Sequence, residues 1–286
     1  MNWTRTLSVS ARGLSGLLMF LLFLVLSQVE SQAIATTTVT SFAPASSTPT
    51  PGVWYEMDVA AGGAAGTVNL SGAGGALENN QPLPIGAALL TTGAANADIA
   101  HVAVVDAYGN AGGILTDASL QIDYSFYKAS AGDLNAFAAP ALRLTLSNPA
   151  AVGDGYGSLV YEPYWQTSPI APVTTDSWLT EQITSTSGLF WWDGGFGQAN
   201  SFGGPPLRTL SEWVTVFDGD FADADLLALG IGIGSYNQGQ TGYFDDVSLS
   251  YTGYSERYDF EPIPEPTTAL LLFLGLLGLG RRRSAP

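Results

Sequence analysis

The sequence predicts a mainly β domain, an antiparallel β-sandwich with one short helix, and three observations carry that expectation. The first is composition: 34 glycines, 16 prolines and 11% aromatics in 286 residues suit many short strands joined by turns. A hydrophobic share of 46% argues against disorder, and the 12% charged share is about half that of an ordinary globular domain. The second is a dominant period of two from Val53 onward, the mark of half-buried strands. The third is the lack of any repeat of about 20 to 50 residues, which argues against solenoids and propellers. With no cysteine, disulfides and thiolate metal sites are excluded. The single histidine, His101, excludes a multi-histidine zinc site and argues against a Ser-His-Asp triad.

The elements follow in chain order. Arg5 and Arg12 make a positive N-terminal region, Leu17 to Leu26 is an apolar run of ten residues, and Ala33-Ile34-Ala35 has the small-x-small form of a cleavage site. Residues 1–35 therefore read as an export signal removed by signal peptidase. An uncleaved anchor is the alternative, but the run is shorter than the ~20 residues of a spanning helix. Residues 36–50, rich in Ser, Thr and Pro, read as a flexible lead-in, and 51–260 as the sandwich.

Within the sandwich, Leu120, Ile122, Tyr124 and Phe126 share one face, as do Leu142, Leu144 and Leu146. Gly157 to Glu162 and Gly188 to Trp192 are further strands. Leu227, Leu229, Ile231 and Ile233 alternate with Ala228 and three glycines, a face that another layer or loop can approach closely. His101 falls on one strand face with Ile99 and Ala103. Tyr243, Val247, Leu249 and Tyr251 form the last strand. Leu210, Trp213, Val214 and Phe217 instead fall at helical spacing behind a Thr209-x-x-Glu212 capping box, which predicts the helix.

The C-terminus has its own order. Pro264-Glu265-Pro266 cannot join helix or strand hydrogen bonding and should be extended and accessible. The apolar stretch 267–280 would rise only ~21 Å as a helix, short of a ~30 Å hydrocarbon core. Arg281, Arg282 and Arg283 hold its end on the cytoplasmic side. Apolar helices are thus expected at both termini, with everything between them outside. This order resembles the PEP-CTERM sorting signal of Gram-negative bacteria, here over 261–286. The resemblance implies processing by an exosortase, transient association with the inner membrane, and delivery to the cell surface or extracellular matrix of an organism that makes exopolysaccharide or biofilm.

Between Thr36 and Pro266, four basic residues (Lys128, Arg143, Arg208 and Arg257) face 24 acidic ones, a formal charge of −20. Such a field excludes nucleic acid and repels anionic membranes. Asp218, Asp220, Asp223 and Asp225 in FDGDFADAD form a dense acidic loop, the kind of hard-oxygen set that a structural calcium uses, although the EF-hand spacing is absent. Asp245 and Asp246 are the other candidate ligands. Alternation places Asp245 inward with Tyr243 and Val247, where its carboxylate must meet backbone donors, an arginine, a bulge or a metal.

The segment Tyr243-Phe244-Asp245-Asp246-Val247-Ser248-Leu249 resembles the final strand of jelly-roll carbohydrate-binding modules of galactose-binding-like fold, which often hold calcium. Leu159 to Trp165, Trp191-Trp192 and Thr209 to Phe217, with Pro82 to Thr92 and Tyr124 to Lys128, resemble a group of exported bacterial β-sandwich proteins. That likeness implies architecture and export but no activity. Trp165, Trp191 and Trp192 are the candidate glycan contacts, since rings stack on the C–H face of a sugar; adjacent Trp191 and Trp192 must point to opposite sides of their strand. Core packing is the competing role for such rings. The carboxylate pairs Glu162 with Asp176, or Glu181 with Asp193, are what a glycoside hydrolase would need at ~5 to 9.5 Å. The expected function is a non-catalytic surface or matrix protein. A carbohydrate-binding module gripping exopolysaccharide is the alternative, and a glycan-acting enzyme the weaker one.

Overall fold

Two seven-stranded sheets face each other in the computed structural model, which describes residues 34–60, 62–151, 155–196 and 203–263. The first sheet holds β1 (Thr36–Val39), β14 (Tyr254–Phe260), β13 (Thr241–Tyr251), β5 (Gly86–Thr91) and β4 (Ala64–Asn69) in that order. Along the other side of β13 run β7 (Gln121–Lys128) and then β10 (Trp178–Thr184). The second sheet is ordered β11 (Phe190–Gly194), β9 (Tyr156–Tyr161), β8 (Ala141–Ser147), β12 (Asp225–Ile233), β6 (Ile99–Asn110), β3 (Val53–Ala60) and β2 (Ala43–Pro44). Most pairings are antiparallel, so the fold is the expected β-sandwich. Among the described residues no helix is long and apolar enough to cross a membrane. The export signal, Pro264-Glu265-Pro266 and the terminal apolar segments with Arg281–Arg283 lie outside the described residues, apart from Ile34 and Ala35.

Period-two alternation builds the interior. Ile122, Tyr124 and Phe126 of the first sheet, and Leu142, Leu144, Leu146, Leu229, Ile231 and Ile233 of the second, are all buried in one core. Trp54 sits within it, edge-on to Tyr258 at 5.4 Å and to Phe260 at 5.0 Å. Each such side chain contributes roughly 1.5–3 kcal/mol by leaving water, and edge-to-face geometry adds to that.

Helix α3 (Leu210–Ala222) closes one end, after the short helices α1 (Gly75–Asn79) and α2 (Ala111–Leu115). Its start is the predicted capping box: Thr209 accepts the Glu212 N–H, and Glu212 accepts the Thr209 N–H at 2.9 Å. It runs a full turn beyond Phe217, because Phe221 extends the apolar seam and is completely buried. FDGDFADAD is therefore not an acidic loop. Its first residues belong to the helix, Asp223 is the C-cap and Asp225 opens β12.

Three other expectations are corrected. Residues 36–50 do not all hang free: β1 pairs in parallel with β14, β2 pairs with β3, and the Thr50 N–H donates to the Tyr55 hydroxyl at 2.8 Å. In β12 a register shift between Leu226 and Ala228 puts Leu226, not Leu227, into the main core. In β13 Phe244 points inward while Tyr243 is half-buried on the other face. The left-handed Asp246 (φ 54°) then makes a bulge that returns Val247 and Leu249 to the core.

Candidate functional site

The site lies on the face of the second sheet that points away from the core. The same alternation that sends Leu142 and Leu144 inward sends Arg143 outward, and Trp191 and Asp193 flank inward Trp192 in the same way. With Glu162, just past the end of β9, these residues floor a cleft of about 740 Å³. One wall carries Asn135 and Phe137, a second carries Ser235, Tyr236 and Asn237, and Tyr164 and Ile170 stand on a third.

Glu162 organises the floor. Its Oε2 accepts the Trp191 indole N–H at 2.9 Å and the Tyr164 hydroxyl at 3.1 Å, so one oxygen fixes two rings. Pro163 starts the 3₁₀ turn Pro163–Gln166 and thereby aims Tyr164. The Tyr164 ring lies 6.2 Å from Phe137 at 70° and 5.1 Å from Trp165 at 35°. Burial pushes the Glu162 carboxyl above its ordinary range, opposed by the hydrogen bonds from Trp191 and Tyr164 and by the charge of Arg143.

Arg143 is the cation of the cleft. Among the described residues its guanidinium makes no hydrogen bond and no ion pair within 4.0 Å, although its side chain is largely covered. Burial lowers its pKa from the usual arginine value, while Asp193, Glu162 and Asp58 oppose that. In register Arg143 faces Gly230 of β12, and His101 faces Gly232. The imidazole lies over this glycine lane: a Cβ at Gly230 would come within 2.5 Å of His101 Nε2. That nitrogen is buried without a partner among the described residues, and burial, with the Arg143 charge second, drives the pKa down to about 3.

A buried lysine braces one wall. Lys128 pairs with Asp133 at 3.0 Å and donates to the Asn135 carbonyl at 2.7 Å. Asn135 in turn donates to the Tyr236 carbonyl at 3.4 Å, joining the first wall to the second. Tyr236 sits in the left-handed region (φ 67°) and is 65% exposed, a ring carried at the rim on a strained backbone.

The candidates from sequence separate here. Trp191 lines the cleft floor but is itself buried, packed with Ala141 and Val160. Trp165 is half-buried behind Tyr164 and donates to the Gly203 carbonyl at 3.3 Å. Trp192 is fully buried against Phe196, Phe217 and Phe221, which removes it as a surface contact. Neither expected carboxylate pair meets in the cleft, which joins Glu162 with Asp193 instead. Asp176 accepts the Ser130 N–H at 3.0 Å, and Glu181 accepts the Tyr161 hydroxyl at 2.6 Å.

Of the calcium candidates, Asp245 accepts the Phe260 N–H at 3.1 Å and the Leu83 N–H at 3.2 Å, and Asp246 pairs with Arg257 at 2.5 Å. Asp220, Asp223 and Asp225 lie on α3, its cap and β12, and the Asp218 side chain is outside the described residues. Among the described residues no three carboxylates or imidazoles converge as metal ligands would. Arg143, Phe137 and Tyr236 were not anticipated as site residues. The usable signal for Arg143 was one cation of only four in the body, set in an otherwise apolar strand.

Against known proteins, residues 262–284 match the PEP-CTERM protein-sorting motif. The chain thus carries an exosortase sorting signal, which marks it as exported and sorted to the cell surface. No curated protein matches the sequence. Two solved structures are similar. One is a family 11 carbohydrate-binding module from Clostridium thermocellum in complex with a β-1,3-1,4-mixed-linked tetrasaccharide, at 16% identity and TM-score 0.34, covering 68% of this chain and 87% of that one. The other is an endo-β-1,4-glucuronan lyase from the fungus Trichoderma reesei, at 12% identity and TM-score 0.34, covering 71% of this chain and 96% of that one. Likeness at this level carries no weight for ligand or activity.

Proposed function

We propose that this exosortase-sorted protein is a non-catalytic component of the cell surface or extracellular matrix, and that its cleft holds a glycan of the exopolysaccharide or biofilm. One observation carries the reading: rings, a guanidinium unpaired among the described residues and carboxylates converge in a single cleft of about 740 Å³. A sugar presents apolar C–H faces and hydroxyls that both donate and accept. Tyr164, Phe137 and Tyr236 suit the faces, above a floor packed by the buried Trp191, and Arg143 with Glu162 suits the hydroxyls. Glu162 beside Asp193 is also the start of a hydrolase pair. Against that role, one oxygen of Glu162 is already engaged by two donors, although burial still leaves the carboxyl raised overall.

The test is a glycan-array screen of the detergent-solubilised full chain beside Tyr164→Ala. Binding should appear in the unaltered chain and fall about tenfold or more in the variant, the scale of one lost ring contact. Release of reducing sugar from a bound glycan would replace the non-catalytic reading with a catalytic one.

A further inference from the structure

We infer that the cleft selects an uncharged glycan, one whose residues carry no uronate, sulfate or phosphate group. This rests on the glycan reading above and adds the ligand's chemical class.

The lining is the first ground. Its charged residues are Arg143, Glu162 and Asp193, a formal charge of −1, and Asp58 adds a further negative field at Arg143. The guanidinium therefore already lies in the field of three carboxylates. An anionic sugar reaching Arg143 would stand beside at least two like charges. At an effective dielectric of about 20, two like charges at ~7 Å offset the attraction of one guanidinium at ~4 Å. The exported body, with four basic residues against 24 acidic ones, opposes the approach of a polyanion over longer range as well.

The second ground is the state of Arg143. A surface arginine among three acids would normally close onto one of them, but this one pairs with none at ion-pair distance among the described residues. Its place in the sheet leaves no acid beside it. Gly230 offers no side chain on one neighbouring strand, Val160 faces it on the other, and the strand beyond Gly230 brings the His101 ring and Ala103. Its donors remain available for oxygens brought by a ligand. Glu162 and Asp193 supply acceptors, and Asn135, Asn237 and Ser235 supply uncharged groups of both kinds on the walls. Hydroxyls use donors and acceptors together. A carboxylate or sulfate uses only donors and leaves the acidic acceptors facing it unsatisfied.

The experiment uses the detergent-solubilised full chain in calorimetric titrations with four probes: a neutral β-glucan, a neutral galactan, a polyuronate and a sulfated galactan, each at about 20 mM and 300 mM salt. At least one neutral polymer should bind, with affinity changing less than about twofold between the two salts, because no counterions are released or screened. Arg143→Gln and, as a rim change remote from the sheet, Tyr164→Ala should each reduce that affinity about tenfold while the melting midpoint stays near that of the parent. Preferred binding of either polyanion, lost at high salt and in Arg143→Gln, would overturn the inference while leaving a glycan in the cleft. Neutral binding indifferent to both variants would overturn the assignment to this cleft. Binding to none of the four, followed by silence on a wider glycan array, would remove the glycan reading itself.

Discussion

The buried framework of the sandwich and the outer-face cleft each hold an indole and a covered carboxyl, and they use them in opposite ways. In the framework, Trp192 is enclosed by Phe196, Phe217 and Phe221 and donates to the Phe196 carbonyl, while Asp245, buried on the outer face of the first sheet, gives its two oxygens to backbone N–H groups of Phe260 and Leu83. In the cleft, Trp191 and Tyr164 both donate to Glu162, side chain to side chain, beside an open volume. Backbone partners pin a carboxyl to the fold. Side-chain partners on a cleft floor position groups that line an open volume. The chemistry of a residue is therefore a poorer guide to its role than the identity of its partners.

The largest expected effect tests the two neighbouring indoles. Trp192→Ala should cost about 3–5 kcal/mol, the scale of a large ring removed from a close-packed core. Trp191→Ala, on the outer face in a small cluster with Ala141 and Val160, should cost less than that and should also weaken glycan binding. Urea denaturation of both variants checks the order, and equal losses would erase the distinction between the regions.

Next in size is Asp245. Burial is the chief cause that pushes its carboxyl from the ordinary value of 3.8 up to about 8, against the N–H groups of Phe260 and Asp246. A raised folded pKa means that the folded state holds the proton more tightly than the unfolded chain. The stability this group contributes is therefore complete below about pH 4 and is lost as pH rises toward 8, amounting to a few kcal/mol. Asp245→Asn keeps a carbonyl acceptor and cannot titrate, so its unfolding midpoint should depend less on pH across that window. Parallel pH profiles for parent and variant would show that Asp245 is not the titrating group.

Much of this contrast could be read from the sequence, and the gaps have physical causes. The leucines of β8 and the capping box of α3 rely on local patterns, and both elements form where those patterns place them. Phase is harder. A left-handed Asp246 and the shift at Leu226 each reset the alternation, and neither has a strong local signature. Strand β1 escaped notice because an edge strand needs only a neighbour's backbone groups, which Ser/Thr-rich composition does not reveal. The helix outran its predicted end because Phe221 reaches a core that only the fold assembles. Trp191 and Glu162 were singled out as a ring and a carboxylate, but their shared oxygen was not foreseeable. Phe137 and Tyr236 come from loops without periodicity, brought together through Lys128 and Asn135.

The smallest effect sharpens the comparison most. Glu162→Gln keeps an oxygen for the Trp191 indole and the Tyr164 hydroxyl, so stability at neutral pH should move by no more than about 1 kcal/mol. Its pH signature should have the same sign as that of Asp245→Asn. The Glu162 carboxyl is raised chiefly by burial, so the stability it contributes is present at acid pH and declines as pH rises through its folded pKa. The size should be smaller, because Trp191, Tyr164 and Arg143 all favour the ionised form, whereas Asp245 has other acids near it. The decisive difference lies in binding. Glu162→Gln should lower glycan affinity severalfold, since a neutral amide accepts a hydroxyl proton less strongly than a carboxylate. Asp245→Asn should leave affinity unchanged. If both variants altered binding equally, the cleft would be coupled to the buried framework, and partner identity would no longer separate a carboxyl that holds the fold from one that meets a ligand.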